Sequence, residues 1–174
     1  MHTEGFNLES FISGTILLVI VPTAACIYLL KKGLPGADSP SKTLLKGGAL
    51  AFLVGFLAAA VWLAWSPTSG LSDFLQHGAP TKFSQWQIIA CGLTVVIGST
   101  LVSLFFSKSF KDVLTISLIT GAGFGMAFSA GVSFGTTSQE GAGIFFSFIG
   151  ISLLCAFLNS MSFVLFKVFE RIAP

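Results

Sequence analysis

Charged positions along this chain come in bunches, and the stretches between them are long and apolar. Residues 10–30, 47–72, 83–107, 113–139 and 141–166 contain no Asp, Glu, Lys or Arg. A helix needs about 20 mostly apolar residues to cross roughly 30 Å of hydrocarbon. Each gap is long enough, so the pattern predicts five spanning helices near 9–30, 46–66, 85–107, 113–135 and 142–166. The connection KKGLPGADSPSK is rich in Gly and Pro and reads as irregular. In SPTSGLSDFLQHGAPTK, Leu71, Phe74 and Leu75 recur at helical spacing and predict a short interfacial helix. The brief turn TTSQEG makes the fourth and fifth helices antiparallel neighbours. The expected fold class is all-α: one integral membrane domain over residues 1–174, a polytopic transmembrane helix bundle.

Composition agrees with the pattern. The chain is 53% hydrophobic and only 9% charged, whereas a soluble domain carries about 25% charged residues. The basic residues add an orientation. Lys31, Lys32, Lys42 and Lys46 fall between the first two spans, Lys108 and Lys111 between the third and fourth, and Lys167 and Arg171 after the fifth. Lys82 falls in a loop on the other side. The N-terminus is therefore expected outside and the C-terminus in the cytoplasm, in a multi-pass plasma-membrane protein (the inner membrane in a bacterium). Trp62, Trp65 and Trp86 fit the outer boundary and Tyr28 the inner one, where an apolar ring and a polar N–H or O–H are both satisfied. The acidic leader MHTEGFNLES lacks the positive start of a secretory signal, which makes the first helix a retained anchor.

Several chemistries are excluded by what the spans lack. No ionisable acidic or basic side chain lies between the interfaces, which argues against proton-coupled transport and voltage sensing. Both histidines, His2 and His77, fall in outward segments, so the spans offer Met126 and Met161 but no His to a haem. His77 and Asp73, four residues apart, read as a solvated loop pair. Cys26, Cys91 and Cys155 are widely spaced, form no CxxC, and read as small apolar fillers. GAGFGMAF has the look of a dinucleotide loop but lies inside an apolar span with no preceding strand. No cofactor, metal site or catalytic constellation is expected, and hence no enzyme. A net charge of +2 gives no footing for nucleic acid; the lysines suit membrane lipid headgroups.

The segment 119-ITGAGFGMAFSAGVSFG-135 needs a reason, since each Gly costs a helix about 1 kcal/mol relative to Ala. Projected at 100° per residue, Phe124, Phe128 and Val132 form a bulky row. Gly123, Ala127, Gly131 and Gly135 make one small row, and Gly125, Ser129 and Ser133 another, with Gly121 one turn before. Such rows let helix backbones approach closely in lipid, where no hydrophobic force joins helices. The first reading is a packing surface at the heart of the bundle, met by small faces of helix two (Gly48, Gly55, Ala59, Ala60), helix three (Gly92, Ser99, Ser103) and helix five (Ser147, Gly150, Ala156). The alternative is a pore or pocket wall, with Thr136, Thr137, Gln139 and Glu140 at its outer mouth. Asn159 and Ser160 are the strongly polar pair deep in a span, expected to bind a neighbouring helix. Pro22 is expected to kink the first helix and free a carbonyl. Phe145, Phe146, Phe148, Phe157, Phe163 and Phe166 wrap helix five and suit acyl chains or a neighbouring subunit. Two functions follow: an oligomeric pore or transport subunit for a small neutral or apolar solute, or an accessory or sensor subunit of a larger membrane complex. The first predicts a homo-oligomer and the second other membrane subunits.

Overall fold

The structure, a computed structural model, describes residues 5–33, 42–65, 70–80, 82–134 and 140–172. It is helical, with no strand among the described residues. Six helices are numbered here α1 (Leu8–Gly33), α2 (Lys42–Leu63), α3 (Leu71–His77), α4 (Gln85–Phe106), α5 (Phe110–Val132) and α6 (Glu140–Ile172). All but α3 are long and apolar enough to cross a membrane, as a multi-pass membrane protein requires. The short α3 lies where the spacing of Leu71, Phe74 and Leu75 puts it.

α4 keeps the bounds of the charge-gap reading to within a residue, and several other helix ends differ from it by about one to two turns, for local reasons. α5 begins three residues early because Ser109 and Asp112 form a capping box, the Ser109 hydroxyl accepting from Asp112 N–H and the carboxylate accepting from Ser109 N–H. α4 begins at Gln85, where the charge gap put it, behind a second box, Ser84 with Gln87. At the lysine-bearing end, α1 and α2 continue through Lys31, Lys32, Lys42 and Lys46. Long lysine stems let a helix carry on into the interface while the charge reaches water. α6 runs for 33 residues, about 50 Å at 1.5 Å per residue, so it outlasts the hydrocarbon. Its last three turns expose Phe166, Val168, Phe169 and Ile172.

α1 carries the expected proline as a π-helical turn, Ile16–Ile20, rather than a simple kink. Pro22 has no N–H for the Leu18 carbonyl, and its ring would strike that carbonyl in a regular α-turn. The backbone widens one residue earlier, with Val21 N–H donating to Ile16 O, and the Thr23 hydroxyl covers Val19 O at 2.6 Å.

α5 is the axis of the bundle. In its most apolar stretch 61% of residues are buried, against 11–33% in the other four spans. Around it α1 packs on α6, α6 on α4 and α4 on α2. The ring is not closed, because no extended interface joins α2 back to α1 among the described residues. Three apolar clusters fill the bundle. Ala58, Cys91, Val95, Phe124 and Cys155 join α2, α4, α5 and α6. Val19, Ala122, Ile144 and Phe148 join α1, α5 and α6. Ala51, Val102 and Ile116 tie α2, α4 and α5 near the lysine end.

Candidate functional site

The glycines of α5 sit where neighbouring backbones pass closest. A Cβ on Gly123 would run into Phe52 O of α2, and one on Gly55 of α2 would run into Thr120 O of α5. The two glycines thus make a reciprocal crossing, with Phe52 and Phe56 stacked 6.1 Å apart beside it. On another side, Gly121 faces the Ser152 hydroxyl and Phe148 O of α6. Gly125 lies between Phe148 of α6 and Val19 of α1, at 3.0 and 3.1 Å from an added Cβ. Gly131 meets Ala79 at 3.0 Å. Ala127 packs on the cluster of Ala58, Cys91 and Phe124. Ser129 and Ser133 are buried. Gly92 of α4 and Gly150 of α6, taken from the sequence as small faces, have open space around them. Gly135, Thr136, Thr137 and Gln139 lie outside the described residues, as do the side chains of Glu140 and His77.

A polar knot joins three helices. Asn159 of α6, 1% exposed, donates to Ser99 Oγ of α4 at 2.8 Å and to Ser117 Oγ of α5 at 2.9 Å. Its Oδ1 accepts from Thr100 Oγ1 at 3.0 Å. Ser99 and Thr120 hydroxyls pair at 3.2 Å, and the Ser117 and Thr120 hydroxyls also donate to Val113 O and Ile116 O. Buried polar groups in a membrane need such partners, and here they close on one another, leaving no free valence aimed at a ligand. Ser160, next in sequence, is half-buried.

The end of α5 away from the lysines is held by backbone. The last carbonyls of a helix have no partner within it. Gly131 O accepts from Ala79 N–H and Ser133 O from Asn7 N–H, both at 2.7 Å, while the Ser133 hydroxyl donates to Ser129 O at 2.6 Å. Gly78 permits the approach of this loop. Its φ is +84° and a Cβ there would lie 2.7 Å from Gly131 O. Thr15 of α1 donates to Ser129 Oγ at 3.1 Å, and Phe134 gathers Phe6 and Phe74 at 5.3 and 5.8 Å between ring centroids. Gln87, fully buried, donates from Nε2 to Trp62 O and Trp65 O and so caps α2. The sequence signal for it was the S-x-x-Q pattern at 84–87.

Where the ring is open, two apolar chambers lie along α5. The first, about 230 Å³, is bounded by Thr15, Val19, Thr23 and Ile27 of α1, Phe52 of α2, and Ala122 and Met126 of α5. The second, about 280 Å³, lies toward the opposite end from the lysines, between Phe56, Ala60 and Leu63 of α2 and Ala127, Ala130 and Gly131 of α5. Phe74 of α3, with Ala79 and Phe83 of the following loop, covers it. No charged side chain lines either chamber. Among the described residues no three His, Cys, Asp or Glu side chains converge as metal ligands.

No protein-family model, curated protein or solved structure matches the chain. The cleft must be interpreted from its own chemistry.

Proposed function

We propose that the chain is a non-catalytic transport subunit for a small neutral or apolar solute, which travels along the cleft between α1 and α2. The observation that carries this reading is the pair of uncharged chambers in series on one flank of α5. Together their linings run from Phe52 to Leu63 of α2, about 16 Å of helix or about half of the hydrocarbon depth, and no extended α1–α2 interface is present among the described residues. A path down the bundle axis is excluded by α5 itself, so an aqueous pore would need several copies of the chain. In this reading the N-terminus faces outward and the C-terminus the cytoplasm of the cell whose plasma membrane holds it, following the lysine bias.

The test is solute entry into proteoliposomes, followed by stopped-flow light scattering with urea, glycerol and 1,2-propanediol as probes of decreasing polarity. The expected result is protein-dependent acceleration, greatest for the diol, and its loss on Met126→Trp, which fills the first chamber. Equal rates with and without protein for all three would overturn the reading.

The accessory-subunit reading keeps one specific support, the exposed apolar end of α6 at Phe166, Val168, Phe169 and Ile172. Native mass spectrometry from the source membrane separates the two: copies of this chain alone favour a carrier, and a bound second polypeptide favours a subunit.

A further inference from the structure

We infer that the second chamber is a site for one acyl chain of an anionic membrane phospholipid, with Lys82 holding the headgroup. The inference names the resident ligand of the proposed transport cleft and rests on that reading only for the chamber's biological use.

The shape is the first argument. On α2 the chamber runs from Phe56 to Leu63, seven residues or about 10 Å of helix. A volume of about 280 Å³ spread over that length leaves a mean section of about 27 Å², room for one hydrocarbon chain and not for two. It is also about twice the volume of an engineered 150 Å³ cavity that binds one benzene.

Access is the second. Ala60 of the chamber wall borders the exposed stripe of Leu57 and Val61 on α2, three residues after Leu57 and next to Val61. A hydrocarbon chain therefore reaches the chamber from the side without entering water. In a bilayer the solvent at this depth is hydrocarbon, and an empty apolar slot would forfeit dispersion contacts along its whole wall. The molecule present at overwhelming concentration to fill it is lipid. Any transported solute has to displace that chain.

Charge is the third. Lys82 is exposed and stands between two residues that cover the chamber, Ala79 and Phe83. It is the one Lys or Arg between Lys46 and Lys108, on the side of the membrane where basic residues are scarce. Trp62, Trp65 and Trp86 cluster at that end, with Trp86 5.7 Å from each of the other two, and mark headgroup level. A lysine at this depth lies within reach of a lipid phosphate whose chain occupies the slot.

The experiment uses the full chain in nanodiscs containing phosphatidylglycerol or phosphatidylcholine with a diazirine in one acyl chain, and maps adducts by mass spectrometry. The expected adducts of the anionic lipid fall on chamber residues such as Phe56, Ala60, Phe83 and Ala130. Lys82→Gln should lower that labelling about fivefold, the factor equivalent to about 1 kcal/mol for a lysine at anionic headgroups. It should leave labelling by the zwitterionic lipid unchanged. Ala60→Phe, which fills the slot, should remove chamber adducts while those on exposed Leu53 and Leu57 persist. Adducts confined to the exposed stripe, or equal chamber labelling by both lipids with no effect of Lys82→Gln, would overturn the inference. Because Lys82 is exposed, that arm remains decisive even if Ala60→Phe fails to fold. Solute flux without chamber labelling would sink the lipid site alone, whereas labelling without flux would sink the transport reading alone.

Discussion

The substitution Gly123→Ala tests the central crossing of the bundle. Its Cβ would overlap Phe52 O and lie 2.9 Å from Phe52 C and 3.0 Å from Phe56 N. All three are backbone atoms of α2, so no side chain can rotate aside. α2 and α5 have to separate, and a gap of about 0.5–1 Å already forfeits a quarter to a half of each dispersion contact across the interface. Overpacking of this kind costs about 1–3 kcal/mol, and a rigid backbone obstacle belongs at the upper end. Replacing Gly by Ala within a helix returns about 1 kcal/mol of propensity. The expected net loss is about 2 kcal/mol. Gly92→Ala and Gly150→Ala add the same methyl where nothing lies within 4 Å, so they should keep the propensity gain and stabilise by up to about 1 kcal/mol. Unfolding of the three variants and the parent in detergent micelles, followed by circular dichroism against added denaturing detergent, measures the differences. If Gly123→Ala proves no less stable than Gly92→Ala, the glycines are not there for close approach.

Two further substitutions probe the polar contacts. Asn159→Leu removes three interhelical hydrogen bonds of 2.8–3.0 Å; at about 0.6 kcal/mol each on average in membranes, it should destabilise by about 2 kcal/mol in the same unfolding series, and parent-like stability would show that the knot contributes nothing. Gln87→Leu leaves Trp62 O and Trp65 O without their donor, an expected loss of about 1–3 kcal/mol. It should also shift tryptophan emission as the 5.7 Å edge-to-face pair of Trp62 and Trp86 loosens, and an unchanged spectrum would refute the capping role.

Much of the architecture was legible in the chain. Charges are too costly inside hydrocarbon to be scattered, so the charge-free runs 10–30, 47–72, 83–107, 113–139 and 141–166 mark out five spans. A glycine-rich α5 was marked for close packing, and Asn159 for a polar partner in another helix. Helix ends were less evenly legible: α4 starts at Gln85 as read from the charge gap, but the capping box at Ser109–Asp112 starts α5 three residues early through hydrogen bonds that hydropathy does not register. The π-turn in α1 was only half visible: Pro22 announced a break, but not that the backbone would widen at Ile16–Ile20.

What the sequence by itself determined is the number, length and apolar character of the helices, together with a supply of small residues. Which of those residues touch was decided by tertiary structure alone. In water a helix advertises its buried face by being more apolar there. In lipid both faces are apolar, since the solvent is as hydrophobic as the core, and that signal vanishes. Gly55 and Gly123 meet backbone to backbone while Gly92 and Gly150 look onto open space, although in the sequence all four are glycines in equally apolar helices. The same holds for Phe148, buried against α5, and Phe146, 71% exposed on the other side of α6. The open side between α1 and α2, and the two chambers along α5, exist because of how four similar cylinders were arranged around a fifth.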